Sequence, residues 1–169
     1  MAEPDDATAV AQVHVRSWQA AYRGLIPDAV LDGLRAEDRA QRYDFSHHDQ
    51  LKPKTLLAVD DAGICGFATT SPSRDADLPD HGELCALYVD PEYWGHGAGV
   101  ALMKAARAQM ADSGFRGALL WLLAGNERAG RFYEIDGWRA DGEGRVAEVW
   151  GLALNEVRMV RKLDVSRPG

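Results

Sequence analysis

Cysteine, cationic excess and long apolar runs are all scarce in this chain, and each shortage excludes a class of protein. Two cysteines in 169 residues, Cys65 and Cys85, cannot supply a disulfide scaffold. Both stand in apolar, strand-like runs, where a reduced thiol packs as a small hydrophobe. The 19 Lys and Arg fall short of the 26 Asp and Glu, which leaves −7 at neutral pH. Broad nucleic-acid binding needs clustered cations to neutralise phosphates and is therefore disfavoured. An acidic chain can still hold one compact phosphate group through the backbone N–H groups of a loop and a helix N-terminus. No apolar run approaches the roughly 20 residues of a membrane span, and the polar start at residues 1–6 has no secretory apolar stretch. A cytoplasmic protein without membrane attachment is expected. At 169 residues, 46% hydrophobic and 27% charged, the chain suits one globular domain over residues 1–169 with a substantial core.

Asp5 and Asp6 suit the cap of a helix running to about Tyr22, with Val10, Val13, Ser17, Trp18 and Ala21 at helical spacing. Arg23, Gly24 and Pro27 stop it. Residues 28–46 read as one or two short amphipathic helices broken near residues 33–35. Residues 55–59 and 64–70 are β-like runs joined by Asp60, Asp61, Ala62 and Gly63, so they predict a hairpin. Residues 71–81 carry little apolar material and make the longest exposed loop, a candidate lid or a variable segment. A third strand, 83–89, closes at Asp90 and Pro91. A glycine-rich stretch then leads into a helix whose buried stripe is Leu102, Met103, Ala106 and Met110, ending at Ser113 and Gly114. Residues 117–123, GALLWLL, form the continuous apolar run expected of a strand covered on both faces. Asn126 opens another helix that ends at Asp136 and Gly137. Strands around residues 138–141 and 154–162 complete the chain.

The segment LYVDPEYWGHGAGVALMKAA places a strand, a sharp turn, alternating glycines and a helix in succession. Gly95, Gly97 and Gly99 remove Cβ atoms where N–H groups can converge on an anion, and the helix dipole adds favourable potential. Taken alone, the same pattern also describes a tight strand-to-helix connection. Two nucleotide motifs fail on spacing. A dinucleotide fingerprint counted from Gly95 would need glycine where Val100 stands, and a P-loop would need Gly-Lys followed by Ser or Thr.

LYVDPEYWGHGAG resembles the acetyl-CoA motif of the GNAT superfamily of N-acetyltransferases. NERAGRFYEIDGW, residues 126–138, is similar to the second half of the same fold, and DDATAVAQVHVRSWQAAYRGLIP resembles its first helix and substrate loop more weakly. The resemblance implies an α/β (α+β) architecture, the GNAT acyl-CoA N-acyltransferase fold. Its mixed, mostly antiparallel sheet has about six to seven strands flanked by helices, and it is splayed between the fourth and fifth family strands. It also implies an acetyltransferase that moves acetyl from acetyl-CoA, a cosubstrate, to a small-molecule or peptide amine by direct attack in a ternary complex, with no metal. Homodimers are common in the family. The acid excess suits a cationic acceptor.

The resemblance also assigns residues. Backbone at Leu87, Tyr88 and Val89 would pair with the pantetheine, the Val89 N–H being the natural oxyanion donor. Backbone from Gly95 through His96, Gly97, Ala98 and Gly99 to Val100 would hold the pyrophosphate, Asn126 would contact the cofactor arm, and the Tyr133 hydroxyl would protonate the departing sulfur. Seven residues separate Asn126 from Tyr133, roughly 20° short of two helical turns, so they share a face. Read from the residues alone, Tyr133 is a core aromatic beside Phe132. Arg128 would reach a phosphate or stand solvated. Trp18 and Tyr22 would wall the acceptor pocket, although core packing explains Trp18 nearly as well.

An amine attacks only after losing a proton from an ammonium of pKa about 10.4, so a base is needed. Glu83 alternates with Cys85, Leu87 and Val89 onto one strand face and is the best candidate, with a solvated strand-end charge as the equal alternative. Trp121 occupies the strand position where relatives sometimes place a carboxylate. Cys85 has no histidine implied nearby and is read as packing. His47, His48 and Asp49 lack further ligands at a recognised spacing and read as a solvated helix end.

Two departures from the pattern stand out. Trp94 occupies the place of the family's Arg or Gln, and the family's first strand would precede Ala2, so that strand is missing or the recorded start is late. The rival functional reading is a non-catalytic acyl-CoA-binding regulator, and a purely structural interaction module ranks last.

Overall fold

The computed structural model describes residues 1–47, 49 and 52–164. Along the chain run α1 (Ala7–Ala21), α2 (Asp28–Gly33), α3 (Ala36–Ala40), β1 (Lys54–Asp60), β2 (Gly63–Pro72), β3 (His81–Val89), α4 (Ala98–Asp112), β4 (Gly117–Leu123), α5 (Glu127–Ile135), β5 (Arg139–Val149) and β6 (Leu152–Lys162). Among the described residues six strands make one sheet in the order β1-β2-β3-β4-β6-β5. All neighbours are antiparallel except β3 and β4, which run parallel. This is the expected mixed, mostly antiparallel sheet, with six strands.

The β1–β2 hairpin turns where expected, because the Asp60 carboxylate accepts the N–H groups of Ala62 at 2.9 Å and Gly63 at 3.1 Å. Phe67 and Ala68, adjacent on β2, face opposite sides of the sheet. Phe67 packs with Val10 and Val13 of α1, and Ala68 packs with Leu102, Met103, Ala106 and Met110 of α4. The α4 stripe comes close to β3 because Gly82 has no side chain: a Cβ there would stand 2.7 Å from Met110 Sδ.

β3 and β4 pair only from His81–Gly117 to Glu83–Leu119. Beyond these pairs β3 stays with β2 as far as Val89, while β4 stays with β6 as far as Leu123. Each strand follows the twist of its own partner, so the facing edges part and a wedge opens. The predicted splay is therefore present.

Three expectations need correction. The strand placed at residues 138–141 runs from Arg139 to Val149 and forms a hairpin with β6, which begins at Leu152. The register shift between Ala140 and Gly144 is an irregularity within a continuing strand. Trp138 is not part of the strand and lies fully buried. The segment 71–81 is shorter than expected as a loop, since Ser71 and Pro72 belong to β2. It is also held down: buried Arg158 on β6 bonds Asp77 at 2.8 and 2.9 Å and Asp75 at 3.1 Å. His47 pairs with Asp44 at 2.6 Å, and His48 lies outside the described residues.

Candidate active site

A cavity of about 420 Å³ fills the wedge between β3 and β4. Its walls include Leu87, Tyr88 and Val89 from β3, Trp121 and Leu123 from β4, Ser17 from α1 and Tyr22 just past its end, and Trp94, Gly95, Gly97, Gly99 and Val100 from the glycine loop and the start of α4. Asn126, Arg128, Phe132 and Tyr133 around α5 close it. His96 and Ala98 belong to the loop without lining the cavity.

Hydrogen-bond register decides what β3 offers. The Asp90 N–H donates to the Cys65 carbonyl at 2.8 Å, which makes Val89–Gly66 a non-hydrogen-bonded antiparallel pair. The N–H and C=O of Val89 therefore point away from β2, into the wedge, and alternation gives Leu87 the same direction. The Val89 carbonyl is capped twice, by Ser17 Oγ at 2.8 Å and by Trp94 Nε1 at 2.8 Å. The Val89 N–H is left facing the cavity.

The glycine loop is shaped for its turn. Asp90 caps a short 3-10 turn, Pro91–Tyr93, by accepting the Glu92 N–H, and Arg16 of α1 donates to Asp90 at 2.6 Å. Gly95 and Gly97 both have φ above +80°, a region that side chains other than glycine's strongly disfavour. The first backbone bond of α4 runs from Ala101 to Gly97 at 3.0 Å, so the N–H groups of residues 98–100 have no partner within the helix. These free N–H groups lie where the sequence places its candidate anion cradle.

Asn126 caps α5, its Oδ1 accepting the Ala129 N–H at 3.2 Å. Two turns on, Tyr133 lies in the cavity wall, and burial with the Tyr88 phenol nearby pushes its hydroxyl well above the ordinary tyrosine range. The phenol therefore keeps its proton at neutral pH. The Arg128 guanidinium lies 3.4 Å from the centre of the Trp94 ring.

Glu83 is not in the cavity wall. Its carboxylate is almost completely buried and is gripped by Arg74, which donates from Nη2 at 2.6 Å, from Nε at 3.1 Å and from its backbone at 3.2 Å. The expected alternation fails at one residue. Ala86 pairs with Thr69 and Leu84 with Thr70, which leaves Cys85 over as a bulge. One extra residue moves everything before it to the other face, so Leu84 joins Leu87 and Val89 in the α4-side core and Glu83 turns away. Among the described residues no Asp or Glu lines the cavity.

Trp18 also differs from its expected role as a wall. It stands behind Tyr22, with ring centres 4.6 Å apart, and meets Trp150 at 4.2 Å in the core cluster with Ile26 and Leu31. Tyr22 does line the cavity and contacts the Tyr88 phenol. Cys85 lines the cavity and is solvent-exposed, with Ser71 Oγ at 3.2 Å. Sequence reasoning missed Ser17, Phe132 and the placement of Trp121 in the wall. Nothing local marks Ser17, whose partner lies 72 residues away.

Residues 15–138 match the family model described as the Acetyltransferase (GNAT) family. The uncharacterized N-acetyltransferase YuaI of Bacillus subtilis is 30% identical over 165 residues, spanning 92% of this chain and 87% of that protein. PaiA N-acetyltransferase from Thermoplasma acidophilum, solved with coenzyme A, superposes with a TM-score of 0.67 at 21% identity and 95% coverage of each chain. YncA of Salmonella typhimurium, solved with its cofactor acetyl-CoA, gives 0.70 at 17% identity, covering 99% of this chain and 94% of that one.

Proposed function

The chain belongs to the GNAT family of acetyltransferases, and from that premise we propose that it moves the acetyl group of acetyl-CoA directly to an amine held in the same ternary complex. The observation that carries this reading is the convergence, in one cavity, of three features. These are the open Val89 edge of β3, the unpaired N–H groups at the start of α4, and the Tyr133 hydroxyl. Acetyl-CoA, when bound, supplies an activated thioester. The N–H groups of residues 98–100 suit its diphosphate, and the glycines keep side chains out of that approach. The exposed edge at Leu87 and Val89 suits the amides of its pantetheine arm.

In this reading the Val89 N–H donates to the thioester oxygen, where negative charge develops as the amine attacks. Tyr133 donates its proton to the leaving sulfur, and Asn126 orients the arm with its side-chain amide. Tyr22 and Trp121 flank the approach of the acceptor. Among the described residues no carboxylate lines the cavity, and in this reading the ammonium gives its proton to water before attack. The expected signature is a kcat/KM that climbs with pH towards the amine's own pKa, about 10.

Calorimetry with acetyl-CoA, followed by thiol release against a panel of small-molecule and peptide amines, tests the proposal. Micromolar binding with turnover on at least one amine supports it. Binding with no turnover on any amine favours the acyl-CoA-binding regulator instead, and no binding refutes both.

A further inference from the structure

Trp94 stands where the resembling loops carry Arg or Gln, and its indole is engaged on two sides at once. Its Nε1–H donates to the Val89 carbonyl at 2.8 Å, beside the Ser17 hydroxyl on the same oxygen. Its ring face carries the Arg128 guanidinium at 3.4 Å. Building on the acetyl-CoA reading above, we propose that Trp94 is a positioning residue joining the two ends of the cofactor site: its N–H aims the oxyanion donor, and its ring holds Arg128 as the phosphate-binding cation.

The first half follows from strand geometry. In an extended residue the N–H and C=O point to the same side, so a carbonyl anchored by two donors fixes the direction of the N–H on the same residue. The anchors matter electrostatically as well. An uncapped Val89 oxygen beside the thioester oxygen would oppose the charge that develops there, and two donors offset it.

The second half follows from the charge inventory. Arg128 is the one Lys or Arg in the cavity wall among the described residues, and it has no carboxylate partner in the ion pairs described. Burial alone lowers its pKa, but a guanidinium stays charged at any physiological pH. A cation stacked on an indole face is held without spending its in-plane donors, which remain free for a phosphate fork. The loop has lost the family's polar side chain, and Trp94 restores a cation to the cradle from the neighbouring helix.

The test needs only acetyl-CoA labelled with ¹³C at the carbonyl. Calorimetry reads its Kd, and the infrared band of the bound thioester reads how strongly its oxygen is polarised. Trp94→Phe keeps a ring for Arg128 but loses the indole N–H: its Kd should stay within about twofold of wild type while the band loses part of its red shift. Ser17→Ala should shift the band in the same direction. Arg128→Gln should weaken Kd by about tenfold with the band unmoved. Trp94→Leu should do both, and if it does not fold by circular dichroism the other three variants carry the test. A wild-type band in Trp94→Phe, or wild-type affinity in Arg128→Gln, overturns the proposal. A wild-type protein that fails to bind acetyl-CoA overturns the functional reading itself, before any variant is made.

Discussion

Removing Arg74 should harm the fold more than neutralising Glu83, although the two form one ion pair. The Glu83 side chain is 2% exposed and that of Arg74 is 67% exposed. Arg74→Leu strips a buried carboxylate of its counter-charge and of both side-chain donors and leaves it only the residue-74 backbone N–H, a cost of about 3–5 kcal/mol, with the lower end expected because the missing side chain admits water. In a chain of this size each kcal/mol moves the midpoint by about 2–4 °C, so a loss of about 3 kcal/mol lowers Tm by about 6–12 °C. Glu83→Gln preserves shape and lets exposed Arg74 turn into solvent, for about 1 kcal/mol and 2–4 °C. Thermal unfolding followed by circular dichroism at pH 7, with urea titration as a check, separates the two. A Glu83→Gln loss equal to or larger than that of Arg74→Leu would refute the burial argument. The same variant also probes chemistry. A catalytic base would cost about 100-fold or more in kcat and take a limb of the pH profile with it. A carboxylate locked beneath Arg74 should cost about threefold at most.

Tyr133→Phe should lower kcat by about 100-fold while acetyl-CoA affinity holds, and the wild type should show no alkaline decline traceable to this phenol, whose pKa is raised by burial. An unchanged kcat removes the acid assignment. His14 is buried, donates to or accepts from Tyr43 at 2.6 Å, and has its pKa driven down by burial and by Arg39. The unfolded chain therefore binds the extra proton first, and stability should fall as pH drops below about 6.5, the unfolded value. Urea titrations between pH 7.5 and 5 (about one step per half unit) should show a shallower slope in His14→Asn, and an identical slope would contradict the assignment. Gly82→Ala places a methyl 2.7 Å from Met110 Sδ, in a stripe where Met110 is buried. Overpacking there should cost about 1–3 kcal/mol in a urea melt, and a neutral result would mean that α4 can shift.

Much of the site was legible because its parts are local. The capping of α5 by Asn126, the two-turn step to Tyr133, and the left-handed glycines before α4 each depend on a few consecutive residues, and the structure puts all of them around one cavity. The resemblance to GNAT loops was likewise carried by contiguous motifs, and the family match spans both of them. What misled was a register assumption. Strict alternation placed Glu83 with Leu87 and Val89, yet a single bulge at Cys85 is set by how β2 pairs with β3, and a strand read alone cannot reveal it. The Arg139–Val149 strand was cut short for a similar reason. Its glycines and charges past Asp141 carry no apolar alternation, and pairing with β6 is what keeps them extended.

By itself the sequence determined the order of helices and strands, the glycine turn before α4 and the family, because short-range sterics, helical spacing and turn chemistry act over a few residues. Only the tertiary structure decided which groups meet. Ser17 reaches Val89 across 72 residues, Arg158 clamps Asp77 across 81, and Trp94 in the loop before α4 finds Arg128 on α5. The wedge is the same kind of fact. Neither β3 nor β4 encodes a gap, which opens because each strand keeps faith with its other neighbour after three shared pairs.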